Sequence, residues 1–232
     1  MKPINEIATE LGLDSANLVP YGKYKAKIPL TEIKRSGRKG KLIVITGISP
    51  TPAGEGKTTT AVGLSQGMGK IGQKVVTTLR EPSLGPIFGI KGGGTGGGLS
   101  KVEPEDEVNI HFTGDAHAVG SAHNLLAALT DNAAQRGLVD GFAPNNVTLR
   151  RVTDVEERSL RSIVTGLGGS GNAPLRETGF DIVTASEVMA ILALAADLSD
   201  LRARLGKIVV GYKNSGEPVH ADDVDAVGSM MA

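Results

Sequence analysis

The sequence predicts an α/β fold in which a mostly parallel sheet carries helices on both faces. The apolar run K-L-I-V-I-T-G-I (Lys41–Ile48) lacks the alternation of a half-exposed strand, which is typical of a strand covered on both faces. A glycine-containing turn and a helical pattern follow it, and a second strand candidate, K-V-V-T-T-L-R (Lys74–Arg80), comes next. Because such a strand–helix–strand unit joins parallel strands through a right-handed crossover, these segments predict the centre of the sheet.

The composition excludes several classes of protein and of site. Lys and Arg number 25, as do Asp and Glu, so the net charge of the 232 residues is zero, which argues against a general binder of nucleic acid or of a membrane surface. The absence of cysteine excludes disulfides, thiolate zinc sites and cysteine nucleophiles. The longest apolar run, Val188–Ala196, is shorter than the ~20 residues of a membrane span. With no apolar signal-peptide core after Met1, we expect a cytoplasmic protein.

Residues 1–40 are predicted to form an N-terminal helix and a basic arm, ahead of an α/β domain over residues 41–232. Apolar residues from Ile4 to Leu11 recur at helical spacing, and Gly12 follows as a helix stop. The basic stretches Y-G-K-Y-K-A-K-I and R-S-G-R-K-G-K then lead into the first strand. They are interpreted either as a solvated arm or as a positive rim close to an anionic ligand.

Beyond the second strand, glycine-rich loops separate helical and extended patterns. The run Gly89–Leu99 is predicted to be an ordered loop that approaches a ligand, since flexible linkers usually mix glycine with serine. Helices are predicted from helical spacing or capping pairs, and strands from short apolar or β-branched runs. The helices are predicted over 121–137, from Asp154 through Ile163, after the capping pair Thr184 and Glu187, and over 198–205; the strands cover 180–184 and 207–212.

A phosphate-binding loop is the strongest chemical signal in the chain. The segment T-P-A-G-E-G-K-T fits the pattern G-x-x-x-x-G-K-[ST], except that Thr51 takes the place of the first glycine. Such a loop turns backbone N–H groups and a helix N-terminus toward phosphate, so the chain is predicted to bind a nucleoside triphosphate. We expect Lys57 to reach the β- and γ-phosphates and the Thr58 hydroxyl to ligate Mg²⁺. The predicted nucleotide-binding residues are Thr51, Pro52, Ala53, Gly54, Glu55, Gly56, Lys57 and Thr58.

Two further charged residues are candidates for the site. Arg80 ends the second strand, where open parallel sheets bind ligands, and its guanidinium suits a carboxylate or an acyl phosphate. The alternative for Arg80 is a surface salt bridge with Glu81. Asp115 is predicted just after a short strand, where it orients Mg²⁺, accepts a hydrogen bond from an amine nucleophile, or is a solvated turn residue.

Three of the four histidines are close together in the sequence. Their spacing matches no established metal-ligand pattern, so structural or substrate-contacting roles are favoured over a metal site. These histidines are His111, His117 and His123.

The chain resembles the N-terminal part of the formate–tetrahydrofolate ligase family, also called formyltetrahydrofolate synthetase. The resemblance extends from about Tyr21 to the C-terminus, with the motifs in the family's order and several of them long and rare. The motifs are Y-G-K-Y-K-A-K-I, T-P-A-G-E-G-K-T-T, L-R-E-P-S-L-G-P, G-I-K-G-G, N-I-H-F-T-G-D, S-A-H-N-L-L-A-A, R-E-T-G-F-D-I and A-S-E-V-M-A-I-L.

The resemblance implies a P-loop NTPase-like sheet and an ATP-dependent ligase of one-carbon metabolism. In the family, formate attacks ATP to give formyl phosphate, and tetrahydrofolate takes the formyl group to become 10-formyltetrahydrofolate. By resemblance, Lys57 stabilises the transferring phosphoryl group, Arg80 holds formyl phosphate, and Asp115 positions the folate amine. The implied cofactor is ATP with Mg²⁺, and the implied partners are formate, ATP, tetrahydrofolate and further copies of the chain in a homo-oligomer.

The chain departs from the family pattern in two ways. Gly94 and Thr95 replace two alanines of the glycine-rich loop, and Leu99 replaces a tyrosine. Family members are also more than twice as long, so we expect a truncated sheet, with the residues that complete the adenine and folate pockets lying beyond Ala232. Two alternatives follow: a nucleotide-binding fragment without turnover, or a partner-regulated switch ATPase, a class that usually has lysine where this chain has Pro52.

Overall fold

The computed structural model describes residues 1–32, 40–49, 51, 54–87, 93–112, 114–155, 157–169 and 171–232. The described residues divide into two units. Unit one comprises Met1–Arg80 and Gly93–Ile110, and unit two comprises Glu81–Gly92 and His111–Ala232. Both units combine helices with short strands, so the protein belongs to the mixed α/β class.

Unit one begins with the predicted N-terminal helix. The helix α1 (Ile4–Leu11) ends at Gly12, whose φ of +76° is left-handed and whose N–H donates to the carbonyls of Ala8 and Thr9. The strands β1 (Val19–Tyr21) and β2 (Lys25–Lys27) then form an antiparallel hairpin. The helical spacing and the glycine stop of the sequence are therefore confirmed at this end of the chain.

The rest of unit one contains the helix that follows the phosphate loop. This helix, α2 (Lys57–Lys70), contacts a small antiparallel hairpin of β3 (Gly96–Gly97) and β4 (Ser100–Lys101). Val62 is the buried residue of α2, and its side chain lies against Gly96. The helix α4 (Glu105–Ile110) completes the unit.

The two segments predicted to form parallel strands in unit one contain no strand. Lys41–Ile48 and Lys74–Arg80 pair with no other segment among the described residues, and apolar side chains along both are exposed, Val44 to 70% and Val76 to 67%. A strand depends on hydrogen bonds to a neighbour that the local sequence does not specify. The predicted crossover, and with it a P-loop NTPase-like parallel sheet, is therefore not formed within the part of the chain that the structure describes.

Unit two is organised around one long helix. After the short helix α3 (Leu84–Ile87), α5 extends over Asp115–Arg136 and ends at Gly137, whose φ is +64°. The predicted end of this helix is confirmed, but it begins six residues earlier than Ser121. Asp115 is consequently the first residue of α5 and does not follow a strand, which corrects the sequence prediction.

Most strands of unit two pair in antiparallel fashion. The strand β10 (Val209–Lys213) lies between β5 (Phe142–Val147) and β11 (Pro218–His220). A separate hairpin joins β7 (Ile163–Thr165) to β8 (Arg176–Thr178). Among the described strands, only β6 (Arg151–Thr153) and β9 (Phe180–Ile182) pair in parallel. The predicted strands over 180–184 and 207–212 are thus confirmed, but the sheets are small and mostly antiparallel.

Three helices follow β9, and the sequence patterns predicted the first two of them. The helix α6 (Glu187–Leu194) is capped by Ser186, whose hydroxyl accepts from the Val188 N–H at 3.1 Å, rather than by Thr184. The helix α7 (Leu198–Leu205) has the predicted bounds, and α8 (Val227–Met231) follows β11.

The helix predicted from Asp154 through Ile163 is wrong. Among the described residues of this segment, a single 3₁₀ turn forms, at Arg158–Leu160, before β7 begins at Ile163. The β-branched pair Ile163 and Val164 suits a pleated strand, and the partner strand β8 decides between the two structures.

The hydrophobic core of unit two lies between α5, the β5–β10–β11 sheet and the helices α6 to α8. The side chains of Leu126, Val210 and Val219 are fully buried within it. None of the helices in the described part of the chain combines the length and apolar character that crossing a membrane requires.

Candidate functional site

The phosphate loop leads directly into the N-terminus of α2. Gly54 and Gly56 adopt left-handed φ angles of +85° and +71°, which a residue with a side chain rarely adopts. The Gly54 N–H donates to the Thr51 carbonyl at 3.1 Å and closes a turn. Gly56 precedes α2 and provides no side-chain cap, so the first N–H groups of the helix are available to an anion.

The carboxylate of Glu55 occupies the loop. It accepts a hydrogen bond from the Thr51 N–H and pairs with the Lys57 ammonium. The hydrogen bond from Lys57, followed by the one from Thr51, lowers the pKa of Glu55 to about 2. Thr51 and Lys57 therefore bind an anion together in this structure, and the anion is a side chain of the loop itself.

The backbone at Gly47 also lies close to the charged side chains of the loop. A Cβ atom at Gly47 would lie 3.3 Å from the Lys57 ammonium and 3.5 Å from a carboxylate oxygen of Glu55. Glycine at this position therefore keeps space beside the two charged groups. Thr58 is the second residue of α2, where its hydroxyl lies within the first turn. Pro52 and Ala53 lie outside the described residues.

Arg80 is exposed and belongs to an extended segment without regular secondary structure. Its neighbour Glu81 begins unit two, and the Glu81 carboxylate accepts from the Ala116 N–H at 3.1 Å, at the N-terminus of α5. Glu81 also forms a hydrogen bond with Asp115, the first residue of that helix. The structure thus brings Asp115 together with Glu81, which the sequence analysis considered only as a salt-bridge partner of Arg80.

The Asp115 carboxyl group influences the charge of Glu81. Burial, and then the hydrogen bond with Asp115, raises the pKa of Glu81 to about 7, although the hydrogen bond from Ala116 opposes this. A carboxyl group with such a pKa exchanges a proton near neutral pH, which is the property required of a general acid or base. A Cβ atom at Gly114 would lie 2.6 Å from the Glu81 carboxylate, so a side chain at this position would displace that carboxylate.

Asp154 positions the segment that follows Glu81. Its carboxylate accepts from the Ser83 hydroxyl at 2.7 Å and from the Leu84 N–H at 3.2 Å, where α3 begins. The sequence predicts Asp154 as a helix cap, and it does cap a helix. The helix is α3, 70 residues earlier in the chain, rather than the one predicted to follow it.

The three clustered histidines do not share a site. His123 is buried and bridges two elements: its Nδ1 lies 2.8 Å from the Ser186 hydroxyl and its Nε2 lies 2.7 Å from the Arg150 carbonyl. Since a carbonyl only accepts, Nε2 carries the proton, and this assigns His123 a structural role. His111 and His117 contact each other edge to face, with ring centres 5.6 Å apart. Within the described residues no group of three or more metal-binding side chains occurs.

The described half of the glycine run is ordered. Thr95 is buried and its hydroxyl accepts from Asn109 Nδ2 at 3.2 Å, while the Gly94 N–H donates to Asn109 Oδ1 at 3.0 Å. Leu99 is fully exposed at the turn between β3 and β4. The remaining part, Gly89–Gly92, lies outside the described residues, so the prediction of a ligand-approach loop stays a prediction.

Comparison with known proteins agrees with the motifs over the whole chain. The sequence model of the formate–tetrahydrofolate ligase family matches residues 1–232. A formate–tetrahydrofolate ligase of Methylococcus capsulatus is 56% identical over 236 aligned positions, which cover 100% of this chain and 42% of that protein. The formate–tetrahydrofolate ligase of Desulforamulus reducens is 56% identical over 232 positions, covering 99% and 41%. The chain therefore spans about two fifths of the length of these relatives, and it belongs to the formate–tetrahydrofolate ligase family.

Proposed function

We propose that the chain provides the ATP-phosphate site of an enzyme that ligates formate to tetrahydrofolate. The overall reaction is ATP-dependent, proceeds through formyl phosphate and yields 10-formyltetrahydrofolate. The observation that carries the proposal is the Glu55 carboxylate, bound by the Thr51 N–H and the Lys57 ammonium at the start of α2. A phosphate group presents the same oxygen acceptors with more charge, so it is suited to replace this carboxylate.

Each proposed role follows from the chemistry of the side chain. Lys57 neutralises charge on the β- and γ-phosphates, and Arg80 holds the acyl phosphate through paired N–H donors. Asp115 accepts a hydrogen bond from the folate amine, while Glu81 takes up or releases the proton at the same helix end. Thr58 would hold Mg²⁺, which supplies charge neutralisation at the phosphates when bound. Formate, ATP and tetrahydrofolate are the proposed substrates, and self-association is proposed as in the family.

The test of the nucleotide site is binding of Mg·ATP by calorimetry, on the wild-type chain and on Lys57→Ala. We expect the substitution to weaken binding at least ~10-fold, because among the described residues Lys57 is the side-chain cation that contacts the loop anion. Lys70→Ala is the matched control, since Lys70 is an exposed lysine at the opposite end of the same helix. Equal binding by wild type and Lys57→Ala would contradict the proposal.

A second substitution tests the internal anion. Glu55→Gln removes the charge that competes with phosphate, so we expect Mg·ATP to bind about 3- to 10-fold more tightly. Weaker binding would mean that Glu55 builds the site instead of occupying it. Formate-dependent release of ADP then separates a chain that turns over from one that binds the nucleotide only. ADP release without formate dependence would instead support a switch ATPase.

A further inference from the structure

Unit two contains a cavity that the proposed ligase chemistry does not use. Its volume is about 390 Å³, which is within the ~300–1,000 Å³ of pockets for small molecules. It is bounded by α5, β5, β6 and the β7–β8 hairpin with its connecting loop. Its polar lining includes Asp131, Gln135, Arg151, Asn172 and Arg176.

Two arginines converge on one carboxylate at this cavity. Arg151 Nη2 donates to Asp131 Oδ2 at 2.7 Å, and Arg176 Nη2 lies 2.5 Å from Asp131 Oδ1. The second contact is an ion pair without hydrogen-bond geometry, since Oδ1 accepts no hydrogen bond in the described structure. Arg176 Nη1 also donates to the Pro144 carbonyl at 3.2 Å. The charged residues of the described lining are Asp131, Arg151 and Arg176, so this cluster carries a net charge of one positive unit.

One donor of the cluster has no acceptor. The Arg176 side chain is only 11% exposed, and its Nε is shielded from solvent without a hydrogen-bond partner among the described residues. Guanidinium groups bind carboxylate and phosphate in the plane of their N–H donors. A buried N–H without a partner on a cluster of net positive charge is costly, and an anion in the cavity would offset the net charge.

Two backbone segments near Arg176 pack closely against each other. Gly166 follows β7 with a φ of +86°, and a Cβ atom there would lie 2.4 Å from the Pro174 carbonyl oxygen. The two ends of the β7–β8 connection are therefore in direct contact, and Pro174 lines the cavity two residues before Arg176. This contact fixes the wall from which Arg176 extends.

We propose that this cavity binds a small oxyanion, a carboxylate or a phosphate, through the guanidinium groups of Arg151 and Arg176. The cluster also links α5 to β6 and β8, so the alternative is a purely structural clamp. The two differ in one measurable respect, because only a binding site responds to an added anion in a saturable way.

The test is a titration of the full chain, followed through its arginine Nε–Hε signals by ¹⁵N-correlated NMR. The Arg176 signal is assigned as the one lost in Arg176→Lys. We expect it to shift with saturation at an anion concentration on the order of 1 mM, which is typical of weak binding by small ions. Inorganic phosphate and succinate are titrated separately to distinguish phosphate from carboxylate, with chloride as the non-oxyanion control.

Matched variants separate this cavity from other arginines and from the phosphate loop. In Arg176→Lys, binding is followed at the Arg151 signal and is expected to weaken at least ~10-fold. Arg202→Lys, on the exposed face of α7, should leave the affinity unchanged. Backbone signals of Gly56 and Lys57 report the loop separately, so the two proposals fail independently. A wild-type Arg176 signal that does not move, or that moves without saturation as it does with chloride, would overturn the inference.

Discussion

Unit one and unit two differ in how they bury their apolar residues. In unit two, Leu126, Val210 and Val219 are fully buried in a core shared by helices and a three-stranded sheet. In unit one, the apolar segments Lys41–Ile48 and Lys74–Arg80 on either side of α2 are exposed. Because local stability follows buried apolar contact, unit two is expected to be the more stable part of the chain.

The comparison shows that a binding motif and a packed core depend on residues at different separations along the sequence. The contacts of the phosphate loop join residues that are close in the sequence. Glu55 and Lys57 are two positions apart, and they form an ion pair in a unit with few buried side chains. The core of unit two needs residues far apart in sequence. A local motif can therefore be complete while the sheet expected around it is not formed.

The largest expected effect comes from Leu126→Ala, which breaks the packing of unit two. Leu126 is fully buried in α5, and its truncation should lower the free energy of unfolding by about 2–5 kcal/mol. Leu125→Ala is the control: its side chain is 37% exposed, so we expect less than ~1 kcal/mol. Urea denaturation followed by circular dichroism measures both.

Hydrogen exchange on the same variant sharpens the comparison between the units. Amides of α5 and β10 should lose protection in Leu126→Ala, whereas those of α2 should change little. Equal loss of protection in α2 would show that the two units unfold together, and the proposed difference in stability would then be wrong.

The next effect in size concerns the buried imidazole of His123. Alanine at this position leaves the Ser186 hydroxyl and the Arg150 carbonyl without their partner, so we expect a loss of about 2–3 kcal/mol. His117→Ala changes an exposed ring of the same helix and should cost less than ~0.5 kcal/mol. Thermal unfolding of both variants tests the structural role, and similar melting temperatures for the two would contradict it.

The smallest expected effect is the pH dependence that Glu81 gives to unit two. Its pKa rises on folding from 4.5 to about 7, so within this window the folded state binds more protons than the unfolded state. Stability should therefore fall as the pH rises from about 4.5 to 7. Because Glu81 is partly exposed, the change should be only on the order of 1 kcal/mol.

Glu81→Gln should flatten this profile, because glutamine does not titrate. Urea midpoints measured between pH 4 and pH 8 give the comparison, with Glu217→Gln as the control at an exposed residue just before β11. A wild-type profile that rises over the same interval would show that the sign of the Glu81 shift is wrong.

Local signals predicted the helices better than they predicted the sheets. The periodicity of α1 and its glycine stop, the bounds of α7 and the end of α5 at Gly137 all follow from adjacent residues. The helix predicted from Asp154 through Ile163 was wrong, because the strand that begins at Ile163 depends on pairing with Thr178. Lys41–Ile48 has the composition of a buried strand, but composition does not provide the strand that must lie beside it.

The candidate site divides in the same way. The phosphate loop was predicted from eight consecutive residues, and the contacts of Glu55 with Thr51 and Lys57 lie inside that segment. Glu81 was not assigned to the site, because its partners Asp115 and Ala116 follow 34 and 35 positions later. The only local signal was its place beside Arg80, and that signal favoured a salt bridge instead.

The interleaving of the two units has a consequence for synthesis of the chain. Unit one needs Gly93–Ile110 to place β3 and β4 beside α2, but Glu81 and the residues after it, which belong to unit two, are translated first. At ~5–20 residues per second, the thirty residues from Arg80 to Ile110 take roughly 2–6 s to leave the ribosome. During that interval α2 has no hairpin to cover Val62, so this side of the helix stays exposed until Gly93–Ile110 has been translated.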